Sequence, residues 1–126
     1  MSARVVHFEV PFDDADRARG FYREVFDWQI QSVPEMGYNL VSTGPTSNEG
    51  MPAEPGFIGG GMLQRQEPVT KPVITLQVDD IDSTLVAIEQ HGGHALGEKA
   101  AVGEMGFAAY FTDSEGNLMG LWQIAQ

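Results

Sequence analysis

Hydrophobic and polar residues alternate strictly along residues 4 to 12. Phe8, Val10 and Phe12 fall on one side of an extended chain, and His7 and Glu9 fall on the other. This alternation predicts a strand with one face packed on a helix and the other face open.

An apolar stripe with helical spacing follows from about Ala15 to Phe26 and predicts an amphipathic helix. The same strand, acidic turn and helix return 66 residues later, so that His7 aligns with Val73 and Asp13–Asp14 align with Asp79–Asp80. An aspartate before a helix is a good N-cap, because its carboxylate accepts the first amide protons. Capping therefore explains the acidic turns without a metal ion.

The remaining pattern locates three further strands after the first helix and two after the second, where the repeat implies a third. In the first half, a loop rich in Pro and Gly separates the last two strands, and it is equally compatible with a lid over a ligand or a plain connection. In the second half, 97–104 is predicted as a short connection and 113–117 as a hairpin turn. The predicted strands are 28–33, 38–43, 57–66, 73–78, 106–112 and 118–124, the second helix is 82–91, and the loop is 44–56.

These elements predict an α+β fold of two tandem βαβββ modules that form curved mixed sheets around a cleft. The 126 residues are expected to be a single domain, with module one at about 1–66 and module two at about 72–126.

The composition of the chain restricts the classes of partner and metal site that the protein can have. A net charge of −11, with only seven Lys and Arg, argues against nucleic acid as a partner and weakly favours a cationic ligand. The absence of cysteine excludes disulfides and thiolate metal sites. No signal-length or membrane-length apolar run occurs, so we expect a cytoplasmic protein without a membrane partner.

The order and spacing of HFEV, FYREVFDW, VDDIDSTL and DSEGNLMGLWQ resemble those of the vicinal oxygen chelate superfamily, across almost the whole chain. That superfamily includes glyoxalase I, extradiol dioxygenases and bleomycin resistance proteins. In its metal-dependent members, four inward positions hold a divalent ion that polarises substrate oxygens. The resemblance assigns these positions to His7, Gly61, Val73 and Gly120, of which only His7 carries a donor. A metal cofactor is therefore disfavoured.

Glu9 shares a strand face with His7, and the two could form a hydrogen-bonded pair that acts as a general base. The alternatives are metal ligation by His7 and a purely structural histidine. Trp122 could stack on a flat or cationic ligand or simply fill the core. The expected ligand pocket contains His7, Glu9, Leu63, Thr75, Gln77, Leu118 and Trp122, with Gly61 and Gly120 leaving room between them.

Three hypotheses about function follow. The preferred one is metal-free binding of a small organic molecule, cationic or aromatic, as the resemblance to bleomycin resistance proteins implies. The second is a metal-dependent lyase, isomerase or dioxygenase of the glyoxalase type, with ligands that a shifted alignment would hide, such as Glu115. The third is metal-independent proton transfer by His7 and Glu9. The resemblance also implies a symmetric homodimer.

Overall fold

The computed structural model describes residues 2–48 and 51–125. Within these residues the chain forms eight strands, two α-helices and one turn of 3-10 helix, in the order βαβββ followed by βαβββ. This order confirms the predicted α+β fold of two tandem modules. The elements are β1 Arg4–Phe12, α1 Ala15–Phe26, β2 Gln29–Val33, the 3-10 turn Pro34–Met36, β3 Tyr38–Ser42, β4 Gly59–Gln64, β5 Val73–Gln77, α2 Ile81–Gln90, β6 His94–Val102, β7 Gly106–Thr112 and β8 Leu118–Ile124.

The chain divides into two compact units. The first unit contains residues 7–72, and the second contains residues 1–6 together with 73–126. In the first unit the strand order is β2-β3-β4-β1, with β1 and β4 parallel and the other pairs antiparallel. In the second unit the order is β5-β8-β7-β6, with β5 and β8 parallel and the others antiparallel.

Each unit packs its helix on one face of its own sheet. In the first unit, Phe12, Ile30, Val41 and Met62 form the buried cluster, and Phe8 and Val10 pack against it as the alternation predicts. In the second unit the corresponding cluster contains Ile81, Ala109, Phe111 and Leu121. The opposite face of each sheet carries the polar positions of the strands, including most of the predicted site residues.

The acidic turns act as helix caps in both modules. The carboxylate of Asp14 accepts a hydrogen bond from the Arg17 amide at 3.0 Å, and the carboxylate of Asp80 accepts one from the Ser83 amide at 3.0 Å. A capping carboxylate satisfies amide protons that have no partner within the helix. The prediction that these aspartates need no metal ion is consistent with these bonds.

One predicted element is wrong. Residues 97–104 are not a short connection, because the long strand β6 spans His94–Val102 and pairs with β7. Its register shifts between Leu96 and Ala100, and Gly97 has a positive φ of 80° at this irregularity. A bulge of this kind interrupts the alternation by which a strand is recognised in a sequence.

The loop between β3 and β4 contains no helix and no named strand in its described part, as predicted, although Thr46 and Pro52 form an isolated bridge. Two of its residues, 49 and 50, lie outside the described part of the chain. Neither described helix has the length and apolar character that a membrane crossing requires.

Candidate functional site

The open face of the first unit carries His7 and Glu9 on β1. Glu9 lies opposite Gly61 of the parallel strand β4, and His7 lies opposite Gly59. Glu9 is buried, with only 8% of its surface exposed, whereas His7 is half-buried. A buried carboxylate is costly unless hydrogen bonds compensate it, so the partners of Glu9 define this site.

Tyr38, the first residue of β3, joins the two side chains. Its hydroxyl donates a hydrogen bond to Glu9 Oε2 at 2.8 Å and lies 2.9 Å from His7 Nε2. The imidazole and phenol rings are nearly parallel, with an interplanar angle of 17°. The His7 and Glu9 pair that the sequence suggests is therefore bridged by Tyr38, and the three residues form one hydrogen-bonded chain.

Tyr38 reaches this position because Gly61 has no side chain. A Cβ atom built on Gly61 would collide with the hydroxyl and ring of Tyr38. On the opposite face of β4, a Cβ on Gly60 would fall 2.5 Å from the ring of Phe8. Glycines at 60 and 61 thus admit one aromatic ring on each face, and the space that we expected for a ligand beside Gly61 is filled by Tyr38.

The environment of His7 favours the neutral imidazole. Burial lowers the pKa of His7 below 6.5, and the nearby negative charge of Glu9 opposes this shift in part. Because desolvation is the larger of the two effects, His7 is neutral at physiological pH. A neutral imidazole carries one proton and one lone pair, so it can act as a hydrogen-bond acceptor or as a base.

The residues at this site do not fit a divalent metal ion. Among the described residues, no group of three or more His, Asp or Glu side chains could hold one. Gly61, Val73 and Gly120, which occupy the other positions expected from the superfamily, have no donor atoms. The two donors that remain, His7 and Glu9, are both hydrogen-bonded to the hydroxyl of Tyr38.

Leu63 is the third predicted pocket residue in the first unit. It lies opposite Pro11 on one side and Tyr38 on the other, on the same face as His7 and Glu9. Leu40, which lies opposite Gly61, is 48% exposed and adds a second aliphatic group to this face. The structure therefore places the hydrogen-bonded residues His7, Tyr38 and Glu9 next to two aliphatic side chains.

In the second unit, the other predicted pocket residues lie together on the sheet face opposite α2. Thr75 lies opposite Gly120 and Gln77 lies opposite Trp122, and Leu118 precedes Gly120 by two residues on the same strand. A Cβ atom on Gly120 would approach Thr75 Oγ1 to 2.8 Å, so Thr75 takes up part of the space beside this glycine.

Two shallow cavities also lie in the second unit. The smaller, of about 210 Å³, is lined by Gln77, Val78, Asp79 and Ile124, and thus includes one predicted residue. The larger, of about 350 Å³, lies beside Asp82 and Lys99, and its lining includes none of the predicted site residues. The hydrogen-bonded residues at His7 are a stronger candidate site than either cavity, because they combine burial with groups capable of chemistry.

His91 and His94, for which the sequence favours a capping or exposed role, are exposed in the structure. His91 is the C-cap residue of α2, and its Nδ1 lies 3.1 Å from the carbonyl oxygen of Ala87. His94 begins β6, where its Nδ1 lies 3.8 Å from Glu89 Oε1.

Comparison with known proteins agrees with the fold. A family model described as bleomycin resistance protein-like N-terminal matches residues 4–44. A glyoxylase-like domain-containing protein of Didymella fabae is 29% identical over 122 residues, which cover 93% of this chain and 91% of the relative. These two matches agree with the resemblance of the sequence to the vicinal oxygen chelate superfamily.

Solved structures with a similar fold match the chain at low sequence identity. A hypothetical protein of Bacillus halodurans C-125 superposes with a TM-score of 0.67 at 12% identity, covering 100% of this chain and 97% of that one. Methylmalonyl-CoA epimerase of Streptomyces coelicolor, in complex with 2-nitronate-propionyl-CoA, superposes with a TM-score of 0.65 at 18% identity, covering 100% of both chains. At these identities the likeness establishes the fold and leaves the chemistry to the residues of this chain.

Proposed function

We propose that this protein binds a small organic molecule on the open face of its first unit, without a metal ion. The observation that carries the proposal is the position of the Tyr38 hydroxyl, which occupies the place beside Gly61 and engages both His7 and Glu9. Polar groups held in fixed positions beside aliphatic Leu40 and Leu63 are characteristic of sites for organic ligands.

The charge of the chain supports an uncharged or cationic ligand. Of the seven Lys and Arg residues, four are engaged with groups of their own unit. Few cations are then left to neutralise a phosphate-bearing ligand, and a net charge of −11 repels polyanions at long range. A coenzyme A ester, such as the one in the epimerase structure, is thus a poor match for this chain. The four engaged residues are Arg19 with Asp16 and Asn39, Arg23 with the carbonyl of Ile30, Arg65 with Asp13, and Lys99 with Asp82.

Metal independence is tested by elemental mass spectrometry of untagged protein purified without chelator. Thermal melts in added zinc, nickel, iron and manganese complete the test. We expect no stoichiometric metal and no rise in melting temperature, because only two donors remain and both are hydrogen-bonded to Tyr38. About one ion per chain with a clear rise would contradict the proposal and revive a glyoxalase-type metal enzyme.

Ligand binding is tested by a thermal-shift screen of cationic and aromatic small molecules, followed by titration of each hit. Tyr38→Phe keeps the ring above Gly61 but removes the hydroxyl, and should weaken binding by about tenfold, as expected for one hydrogen bond. Tyr22→Phe is the matched control, because Tyr22 stacks on Trp28 in the core at 4.4 Å between ring centroids. Equal effects of the two variants would contradict a site at Tyr38.

Proton transfer is the second candidate function, and the neutral state of His7 favours it. A base must be unprotonated at working pH, and burial keeps the pKa of His7 low. In such a reaction an imidazole nitrogen of His7 takes a proton from a carbon acid and returns it to the product. Glu9, linked through Tyr38, stabilises the imidazolium that forms in between.

This candidate is tested by incubating the protein with phenylacetone, an uncharged aromatic carbon acid, in deuterium oxide and following loss of the benzylic protons by NMR. Exchange faster than the buffer rate, which His7→Ala abolishes and Tyr22→Phe preserves, would support catalysis. Exchange at the buffer rate would contradict proton transfer from an uncharged aromatic ligand. The homodimer and the cytoplasmic location remain predictions from the sequence.

A further inference from the structure

The hydrogen-bonded chain at the site has a direction that follows from counting protons. A tyrosine hydroxyl carries one hydrogen, and Tyr38 donates it to Glu9 Oε2. The contact of 2.9 Å between Tyr38 and His7 Nε2 must then use a hydrogen on His7, because the hydroxyl has no second one to give. His7 therefore donates a hydrogen bond to Tyr38, and Tyr38 donates one to Glu9.

This direction determines the tautomer of the imidazole. A neutral imidazole that carries its hydrogen on Nε2 has a lone pair on Nδ1. No described residue forms a hydrogen bond with Nδ1 of His7, whose ring is half-buried. The site thus offers Nδ1 as an acceptor whose donor must come from outside the described residues.

We infer that Tyr38 is a positioning residue that locks His7 in the Nε2–H tautomer, so that Nδ1 selects organic ligands carrying an uncharged O–H or N–H donor. Phenols, alcohols and amides meet this requirement, whereas ethers, esters and carboxylates offer Nδ1 no hydrogen. The aliphatic groups of Leu40 and Leu63 on the same face favour a donor attached to an apolar body. Phenols combine both features most simply.

The inference about ligand class rests on the proposed function, but the inference about the tautomer can be tested on the protein alone. Long-range proton–nitrogen NMR spectra of nitrogen-15-labelled protein distinguish protonated from unprotonated ring nitrogens. His7→Gln identifies the signals of His7 among those of the three histidines. At pH 7.5 we expect a single His7 species with its proton on Nε2 and none on Nδ1.

Two variants separate a positioning role from a merely structural one. In Tyr38→Phe the ring remains but the acceptor is lost, so the Nδ1–H tautomer should become detectable. In Tyr22→Phe the His7 spectrum should match that of the unaltered protein. A proton on Nδ1 in the unaltered protein, or an unchanged His7 tautomer in Tyr38→Phe, would overturn the inference that Tyr38 fixes the tautomer of His7.

Ligand class is tested with phenol and anisole, which differ by replacement of the donor hydrogen with a methyl group. Titrations followed at the His7 nitrogen resonances should show phenol binding about tenfold more tightly, the ratio expected for one hydrogen bond. In His7→Ala, where the titration is followed at backbone amide resonances because the imidazole is gone, this preference should disappear. Equal affinities, or no binding of phenol, would overturn the ligand class. A donor-free ligand from the thermal-shift screen that shifts the His7 resonances would overturn it while supporting the proposed function.

Discussion

The phenol of Tyr38 occupies the space that a side chain on Gly61 would need. The two residues lie on adjacent antiparallel strands, β3 and β4, and the ring crosses over the glycine because Tyr38 is paired with Leu63, two residues further along. Superfamily resemblance assigns a metal-ligand position to Gly61. In this chain the same position instead receives the hydroxyl that bridges His7 and Glu9.

This relationship predicts a strong energetic coupling between Gly61 and Tyr38. Gly61→Ala places a methyl group against the phenol and should reduce the free energy of unfolding by about 1–3 kcal/mol, the usual cost of overpacking. In a Tyr38→Ala background the same change should cost much less, because the space is then open. Urea denaturation of the four proteins measures the coupling, and additive effects would show that the two residues do not share this space.

Gly20→Ala is the matched control for Gly61→Ala. Gly20 lies inside α1, and a Cβ atom built there would meet no atom within 4 Å. Because alanine loses less conformational freedom than glycine on entering a helix, this substitution should stabilise the protein by about 0.5–1 kcal/mol. A loss of stability at Gly20 as large as that at Gly61 would mean that any added methyl group is harmful, and the result at Gly61 would carry no information about Tyr38.

The low pKa of His7 predicts how the stability of the fold varies with pH. Burial holds the pKa below 6.5 in the folded protein, so below pH 6.5 the unfolded chain binds this proton more readily than the folded one. The contribution of His7 to stability is therefore complete above pH 6.5. It declines as the pH falls from 6.5 toward the folded-state pKa and is constant below that value.

The measurement is urea denaturation of the unaltered protein and His7→Gln at pH 7.5, 6.5 and 5.5. Glutamine does not titrate and can still donate to Tyr38, whereas His91 and His94 are present in both proteins and their effects cancel. The unaltered protein should lose more stability than the variant over this range. A smaller loss in the unaltered protein would mean that the folded state raises the pKa of His7.

The sequence predicts the fold well wherever local chemistry repeats. The strand alternation and the capping residues Asp14 and Asp80 recur after 66 residues, and the structure confirms both. The apolar stripe of α1 is confirmed only in part, because Phe21, Val25 and Phe26 are each more than half exposed. The prediction from the sequence is wrong at β6. The residues of this strand are mostly exposed, and its register shifts between Leu96 and Ala100. Without a buried face, a strand leaves no alternating pattern in the sequence.

Only part of the candidate site can be predicted from the sequence. His7 and Glu9 share a strand face and could be paired by spacing alone, but Tyr38 lies 29 residues from Glu9 and joins it only through the register of β3 with β4. The one sequence signal that pointed to Tyr38 was the missing side chain at Gly61, which we interpreted as room for a ligand. A glycine shows that space is needed, but it does not show which group enters the space.

The helix caps provide a prediction about the repeated architecture. Asp14→Ala removes the acceptor for the Arg17 amide and should lower the free energy of unfolding by about 1 kcal/mol, whereas Asp14→Asn, which can still cap, should cost much less. Asp80→Ala and Asp80→Asn should follow the same order in the second module. Thermal denaturation monitored by circular dichroism compares the four variants. An asparagine as harmful as alanine would show that charge, and not capping, is what these positions require.

Trp122 provides the test of the predicted ligand surface in the second unit. Trp122 is half-buried and lies opposite Gln77 and Ala108, on the sheet face that α2 does not cover. If this surface takes a cationic or aromatic ligand, benzyltrimethylammonium should change the tryptophan fluorescence of the unaltered protein in a saturable way. Trp122→Phe should remove this change, and Trp28→Phe should retain it, since Trp28 packs against Phe8 and Tyr22 in the first unit. A saturable change that survives in Trp122→Phe would remove Trp122 from the ligand surface and leave the face around His7 as the remaining candidate.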